Sequence, residues 1–130
     1  MARIEVPVSA GELVDKVTIL EIKSERIADT AKLANVRREL AGLTAIVGPL
    51  LVANPALAPL KSSLRAVNEM LWRIEDDIRA CERRKDFGAP FVELARNVYR
   101  TNDRRAALKR EIDTLLGSEL VEEKSYQAYD

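Results

Sequence analysis

The sequence predicts an all-α protein, an antiparallel bundle of about four helices with a short extended N-terminal arm. Apolar residues recur at spacings of three and four along most of the chain, which is the helical period. Helix breakers are rare, with only five glycines and five prolines in 130 residues. We therefore expect a single helical domain over residues 1–130, with the arm at residues 1–8 and a tail at residues 118–130.

Residues 1–8 differ in pattern from the rest of the chain. Ile4, Val6 and Val8 alternate with charged residues or proline, which is typical of an extended strand. Pro7 cannot donate a backbone hydrogen bond, so any pairing is limited to the edge of a sheet. The segment is therefore expected either to pair as a short edge strand or to lie as an extended arm on the helices.

The first helix is predicted to begin at Ser9, with Glu12 at the capping-box spacing. One stripe contains Leu13, Val17, Leu20, Ser24 and Ile27, whereas Ile19 and Ile22 lie well off that stripe. A helix with apolar residues on two faces needs two neighbours. The second neighbour is either another part of this chain or a second subunit.

Heptad-like seams, of the kind found in coiled coils, predict the three long segments that follow. A cap at Asp29 starts the second helix, and Pro49 is expected to end or kink it. Gly88 suits the C-terminus of the third helix, and Pro90 suits the start of the fourth. The fourth helix is expected to end at Gly117, and the tail after it to pack back on the bundle or on a partner.

Composition narrows the classes of function. The 21 basic and 21 acidic residues cancel, whereas nucleic-acid-binding proteins usually carry a basic excess, so no nucleic-acid partner is expected. There is no histidine, and Cys81 is the single cysteine; we therefore expect no metal site and no cofactor. Cys81 falls on a core seam. A lone thiol, no signal-peptide pattern and no long apolar run together predict a cytoplasmic protein without membrane insertion.

The fourth helix breaks its apolar seam at Thr101 and Arg105. Buried polar groups need hydrogen-bond partners, and polar residues border the seams of the first and third helices. If these flanks face one another, they form a mixed polar pocket between helices 1, 3 and 4. The candidate ligand-binding residues of this pocket are Lys16, Lys23, Arg26, Asn68, Trp72, Glu75, Tyr99, Asn102 and Arg105.

Two interpretations of this pocket remain open. In the first, its cations bind an anionic or carboxylate ligand, its amides supply hydrogen bonds, and Trp72 supplies a flat apolar wall. In the second, the same residues form a buried network that fixes helix register, with Glu75 paired to Arg105 or Lys23.

Four stretches carry a family resemblance: residues 6–27 (VPVSAGELVDKVTILEIKSERI), 67–79 (VNEMLWRIEDDIR), 102–106 (NDRRA) and 122–126 (EEKSY). Together they resemble a small bacterial family known only as a domain of unknown function. The resemblance spans essentially the whole chain. It implies a mainly helical, stand-alone bacterial protein, and it supplies no catalytic residues.

A second resemblance concerns residue types alone. Helical chorismate mutases are small dimeric bundles that bind a dicarboxylate with Arg and Lys from several helices, and catalysis of that kind is electrostatic. That family's motif does not align with this chain position by position. The only glutamine, Gln127, lies in the tail rather than late in a helix. The residues of matching type are Lys16, Lys23, Arg26, Glu75 and Arg105.

The sequence therefore predicts a non-catalytic interaction or binding protein that acts as a homodimer, with a further protein partner left open. The two-faced first helix and the apolar residues of the tail favour the dimer. The alternative is a small-molecule-binding protein for an anionic or carboxylate ligand, or a chorismate-mutase-like helical enzyme, with its pocket between helices 1, 3 and 4.

Overall fold

A computed structural model describes residues 2–129, which fold into four α-helices with no β-strand among them. The predicted all-α, four-helix fold is confirmed. Within residues 2–129, no helix combines the length and the apolar character that a bilayer crossing requires. The helices are α1 (Ala10–Arg26), α2 (Thr30–Ala53), α3 (Leu57–Arg84) and α4 (Ala89–Leu116).

Three of the helix termini have the chemistry that the sequence predicts. The Ser9 hydroxyl accepts a hydrogen bond from the Glu12 N–H at 3.1 Å, and the Asp29 carboxylate accepts one from the Lys32 N–H at 2.8 Å. Each bond satisfies an amide that has no partner inside its own helix. Gly117 closes α4 in the left-handed conformation, with φ of 59°, where glycine has no steric penalty.

The helix ends differ from expectation at two places. Pro49 does not end α2, which continues to Ala53, and the alternative expectation of a kink at Pro49 stays a prediction. The residues after Pro49, including Leu50, pack on the core, and this burial compensates for the hydrogen bond that proline removes. Gly88 does not close α3: Lys85 does so in the left-handed conformation, with φ of 55°, and Gly88 is the N-cap of α4.

α1 is the central helix of the bundle. It contacts α2, α3 and α4, whereas α2 touches α3 only slightly and does not contact α4. The two apolar faces of α1 are therefore both covered within this chain, so they need no second subunit. Along α1, Glu12 meets Lys109 and Asp15 meets Arg105, an order that makes α1 and α4 antiparallel.

The composition of the core explains why fewer residues of α2 are buried than its heptad seam predicts. Val14, Leu57, Leu64 and Ile112 form the central cluster and come from α1, α3 and α4. In α2 only Val36 and Val47 are buried. The leucines of its seam are half-buried, because α2 packs mainly on a single neighbouring helix. As predicted, Cys81 is buried in the core.

The segments that flank the helices, residues 2–8 and 118–129, have no regular secondary structure. Residues 2–8 are exposed, with Ile4 85% accessible, so the segment is an extended arm and not a paired strand. Residues 118–129 return along α4, where the rings of Tyr99 and Tyr129 meet edge to face at 4.9 Å. Met1 and Asp130, which the predicted arm and tail include, lie outside the described residues.

α1 comes unusually close to α4 at Gly11. A Cβ atom at this position would lie 2.9 Å from both the carbonyl carbon and the Cα of Lys109, which is an overlap. The first turn of α1 also forms hydrogen bonds to the end of α4 and to the start of the tail. The Gly11 N–H donates to Asp113 Oδ1 at 2.6 Å, and the Ala10 N–H donates to Ser118 Oγ at 3.2 Å. The start of α1 is thus fixed against the end of α4.

Gly11→Ala is expected to lower the free energy of unfolding by about 1–3 kcal/mol, because the new methyl group displaces the α4 backbone. Gly42→Ala is the matched control, since a Cβ on this exposed α2 glycine meets nothing within 4 Å. It is expected to raise stability by about 0.5–1 kcal/mol, the usual gain of alanine over glycine in a helix. Urea unfolding followed by circular dichroism measures both, and equal effects would contradict the close approach.

Candidate functional site

A buried carboxylate joins three helices. Asp15 of α1 is only 1% accessible. Arg105 of α4 binds it through two donors, Nε to Oδ1 at 2.9 Å and Nη2 to Oδ2 at 2.5 Å. Asn68 of α3 donates its Nδ2 to Oδ1 at 2.8 Å. The Asp15 hydrogen bond raises the pKa of Arg105, so the guanidinium stays charged.

Lys109 lies next to this pair and is bound by carboxylates. Its side chain is 8% accessible, and its Nζ lies 2.7 Å from Glu12, 2.5 Å from Glu122 and 3.9 Å from Asp15. Burial alone lowers the pKa of Lys109, but the hydrogen bonds to Glu12 and Glu122 outweigh it and the pKa is raised. The lysine is therefore charged, and it ties the tail to α1 and α4.

The polar atoms of this network provide hydrogen-bond partners for one another. Asn68 Nδ2 also donates to the Thr18 hydroxyl at 2.9 Å, and that hydroxyl donates to the Asp15 carbonyl at 2.7 Å. Within residues 2–129, no buried side-chain nitrogen or oxygen lacks a hydrogen-bond partner. A fully satisfied network of this kind rigidifies the helices that it joins.

A cleft of about 400 Å³ opens beside the network, between α1, α3 and α4, and we call it the Trp72 cleft. Its wall is apolar, because Ile19 and Ile22 of α1 face Leu71 and Trp72 of α3. Five of the nine candidates from the sequence line this cleft. These five are Lys23, Asn68, Trp72, Glu75 and Arg105.

Arg26, a sixth candidate, borders the Trp72 cleft without lining it. Its guanidinium carbon lies 5.9 Å from the centre of the Trp72 ring, which is a cation–π distance. Its Nη2 lies 3.6 Å from the Glu69 carboxylate. Arg26 therefore helps to hold the indole in place.

The remaining candidates are not brought to the cleft. Lys16 faces α2, where its Nζ lies 3.0 Å from the Glu39 carboxylate. Tyr99 packs against Tyr129 of the tail. Asn102 is half-buried on α4 and is not among the residues that line the cleft.

The predicted pairing of Glu75 with Arg105 or Lys23 is wrong. Arg105 pairs with Asp15, whose burial leaves the interaction less screened than one at the half-exposed Glu75. Glu75 instead lies 3.6 Å from Arg79, one turn further along α3. Lys23 has no carboxylate within 4.0 Å in the part of the chain that the structure describes.

A comparison with family models shows which family the chain belongs to. Residues 4–129 match the model described as Family of unknown function (DUF6165). The chain belongs to this family. The predicted resemblance to a family of unknown function is thereby confirmed, and the DUF6165 match includes both the arm from residue 4 and the tail to residue 129. No curated protein and no solved structure matches the chain.

Sequence reasoning missed most of the network at the centre of this DUF6165 chain. The sequences of α1 and α4 each contain a pattern that marks their contact faces. In α4 every fourth residue from Thr101 to Asp113 is polar, and in α1 Gly11, Asp15 and Thr18 follow one face. The pairing of these two faces was not evident, because they lie far apart in sequence. The missed residues are Gly11, Glu12, Asp15, Thr18, Lys109, Asp113 and Glu122.

The contact between Lys109 and Glu122 makes the attachment of the tail pH-dependent. The hydrogen bond from Lys109 lowers the pKa of Glu122. A carboxylate whose pKa is lower in the folded than in the unfolded chain stabilises the fold above its unfolded pKa. That contribution is lost as the pH falls through the folded pKa, so acid weakens the attachment of the tail.

Glu122→Gln is expected to lower the free energy of unfolding at pH 7 by less than about 1 kcal/mol, since 42% of the Glu122 side chain is exposed. It is also expected to make the loss of stability between about pH 5 and pH 3 shallower than in the parent. Urea unfolding at a series of pH values measures this slope. Glu119→Gln removes an exposed tail carboxylate with no ion pair within residues 2–129, and should keep the parent slope. An unchanged slope in Glu122→Gln would show that the contact between Lys109 and Glu122 does not contribute to stability.

Proposed function

We propose that this DUF6165 protein is a non-catalytic interaction protein that acts as a homodimer through one end of its bundle. We call that surface the arm end, formed by residues 2–8, 40–60 and 115–121. Ala10, Leu50, Leu60 and Leu116 pack around the same core cluster. The arm, the connection between α2 and α3, and the end of α4 therefore lie at the same end of the bundle.

The observation that carries this proposal is the exposed apolar surface of the arm end. Residues 40–60 contain no Asp, Glu, Lys or Arg, although 32% of the chain is charged. Within this segment Val52 is 83% and Ile46 50% exposed, and in the arm Ile4 and Val6 are 85% and 66% exposed. Exposed apolar residues gathered at one end of a protein are typical of an interaction site.

A second copy of the chain is the partner that fits this surface best. Residues 40–60 carry no charge for a partner of opposite sign to recognise, so recognition depends on apolar complementarity. In a two-fold dimer, each arm covers the uncharged surface of the other copy, and one patch serves both subunits. Because both faces of α1 are covered within the chain, the dimer proposal depends on the arm end and not on α1.

Two further predictions accompany the homodimer. The single cysteine, Cys81, is buried and forms no disulfide within residues 2–129, which supports the cytoplasmic location that we propose. An additional protein partner has room on the same arm end if the arms exchange only part of their apolar surface.

Light scattering coupled to size-exclusion chromatography is expected to give about twice the 14.5 kDa chain mass at tens of micromolar. Val52→Glu should shift the protein to the monomer, because it buries a charge in the proposed interface. Val92→Glu is the control: Val92 is 50% exposed but lies near the start of α4, at the opposite end of the bundle. A monomeric parent, or a dimer that Val52→Glu leaves intact, would overturn the proposal.

A second candidate function is the binding of a small anionic ligand in the Trp72 cleft. Two cations that line the cleft, Lys23 and Arg105, favour this function because each has donors that form no bond within the described residues. Lys23 has no ion-pair partner within residues 2–129, and Arg105 uses only Nε and Nη2 for Asp15. The same fixed Arg105 is less suited to a chorismate-mutase-like reaction, because two of its donors are already bound.

A further inference from the structure

We infer that the Trp72 cleft takes a small monocarboxylate with a branched or aromatic hydrocarbon body, an inference that rests on the second candidate function. Three features of the cleft define this ligand class: its free donors, its acidic rim and its apolar wall. The cleft volume of about 400 Å³ lies within the range of small-molecule sites.

The free donors define where a carboxylate binds. Arg105 Nη1 makes no hydrogen bond among the described residues, while Nε and Nη2 of the same group are held by Asp15. The guanidinium is therefore fixed in orientation before a ligand arrives, which reduces the entropy lost on binding. Lys23, from α1, lines the same cleft and supplies a second, unpaired charge. Together they can donate to the two oxygens of one carboxylate.

The acidic rim limits the ligand to a single negative charge. Glu75 and Asp76 line the cleft together with Arg79, which lies 3.6 Å from Glu75 and offsets its charge. Asp76 has no cation within 4.0 Å among residues 2–129. A phosphate ester or a dicarboxylate would bring a second negative charge close to these carboxylates, which repel it. A monocarboxylate needs only Lys23 and Arg105.

The apolar wall defines the body of the ligand. Ile22 is only 1% accessible and forms the floor, while Ile19, Leu71 and Trp72 line the sides. Arg26 lies over the Trp72 ring and limits indole movement. Hydrocarbon that reaches this wall is removed from water, and each buried methylene tightens binding by about fourfold.

The test uses the full chain and a set of defined probes. Trp72 is the only tryptophan, so its fluorescence reports on the cleft, and titration calorimetry gives the affinities. The probes are acetate, butanoate, 4-methylpentanoate, the uncharged 4-methylpentanamide and inorganic phosphate. We expect affinity to rise about fourfold per methylene along the carboxylates, with 4-methylpentanamide binding at least about tenfold more weakly than 4-methylpentanoate.

Matched variants assign the binding to this cleft. Lys23→Gln should weaken 4-methylpentanoate binding about tenfold, and Lys23→Arg, which keeps the charge, should largely retain it. Lys16→Gln, on the α2 side of the same helix, should leave the affinity unchanged. Equal binding by Lys23→Gln and the parent would overturn the inference.

The probes also separate failure of the ligand class from failure of the function. If phosphate or acetate binds as tightly as 4-methylpentanoate and Lys23→Gln abolishes the binding, the cleft is an anion site but the monocarboxylate class is overturned. The probes are tested up to 10 mM, a concentration on the order of the weakest dissociation constant of interest. If none changes the Trp72 fluorescence or releases heat, both the monocarboxylate ligand class and the second candidate function are overturned.

Discussion

The buried Asp15 carboxylate is the constraint on which the rest of the structure depends. An ionised group with 1% accessibility is costly to desolvate, and it is tolerated only when paired and hydrogen-bonded. Arg105 and Asn68 provide these bonds from two other helices. Any register between α1, α3 and α4 that separates them leaves a buried charge without a partner. The network therefore selects one packing among the many that apolar heptads would allow.

The same interaction places the two candidate surfaces of the molecule. Because Asp15 binds Arg105, α1 lies close to α4 and fills the centre of the bundle, with Gly11 at the point of closest approach. α2 then has mainly one helix to pack against, and much of its other side stays exposed. The same interaction fixes Arg105, which also lines the Trp72 cleft.

The fold was more predictable than the network, for a physical reason. Helix positions follow from apolar spacing, which is local, so the four helices and the caps at Ser9 and Asp29 were correctly predicted. Arg105 stood out because it interrupts an otherwise apolar seam. Its partner was misassigned because Asp15 lies 90 residues away in sequence, and the pattern along α1 does not show which helix meets the face that carries it.

A double-mutant cycle on Asp15 and Arg105 tests the central claim most directly. The free energy of unfolding is measured for the parent, Asp15→Asn, Arg105→Gln and the double variant. Each single variant leaves a buried group without its partner, whereas the double variant removes both charges. The account predicts a coupling energy of at least about 2 kcal/mol, with the double variant far more stable than the sum of the single losses implies. Losses that add to within about 0.5 kcal/mol would contradict it.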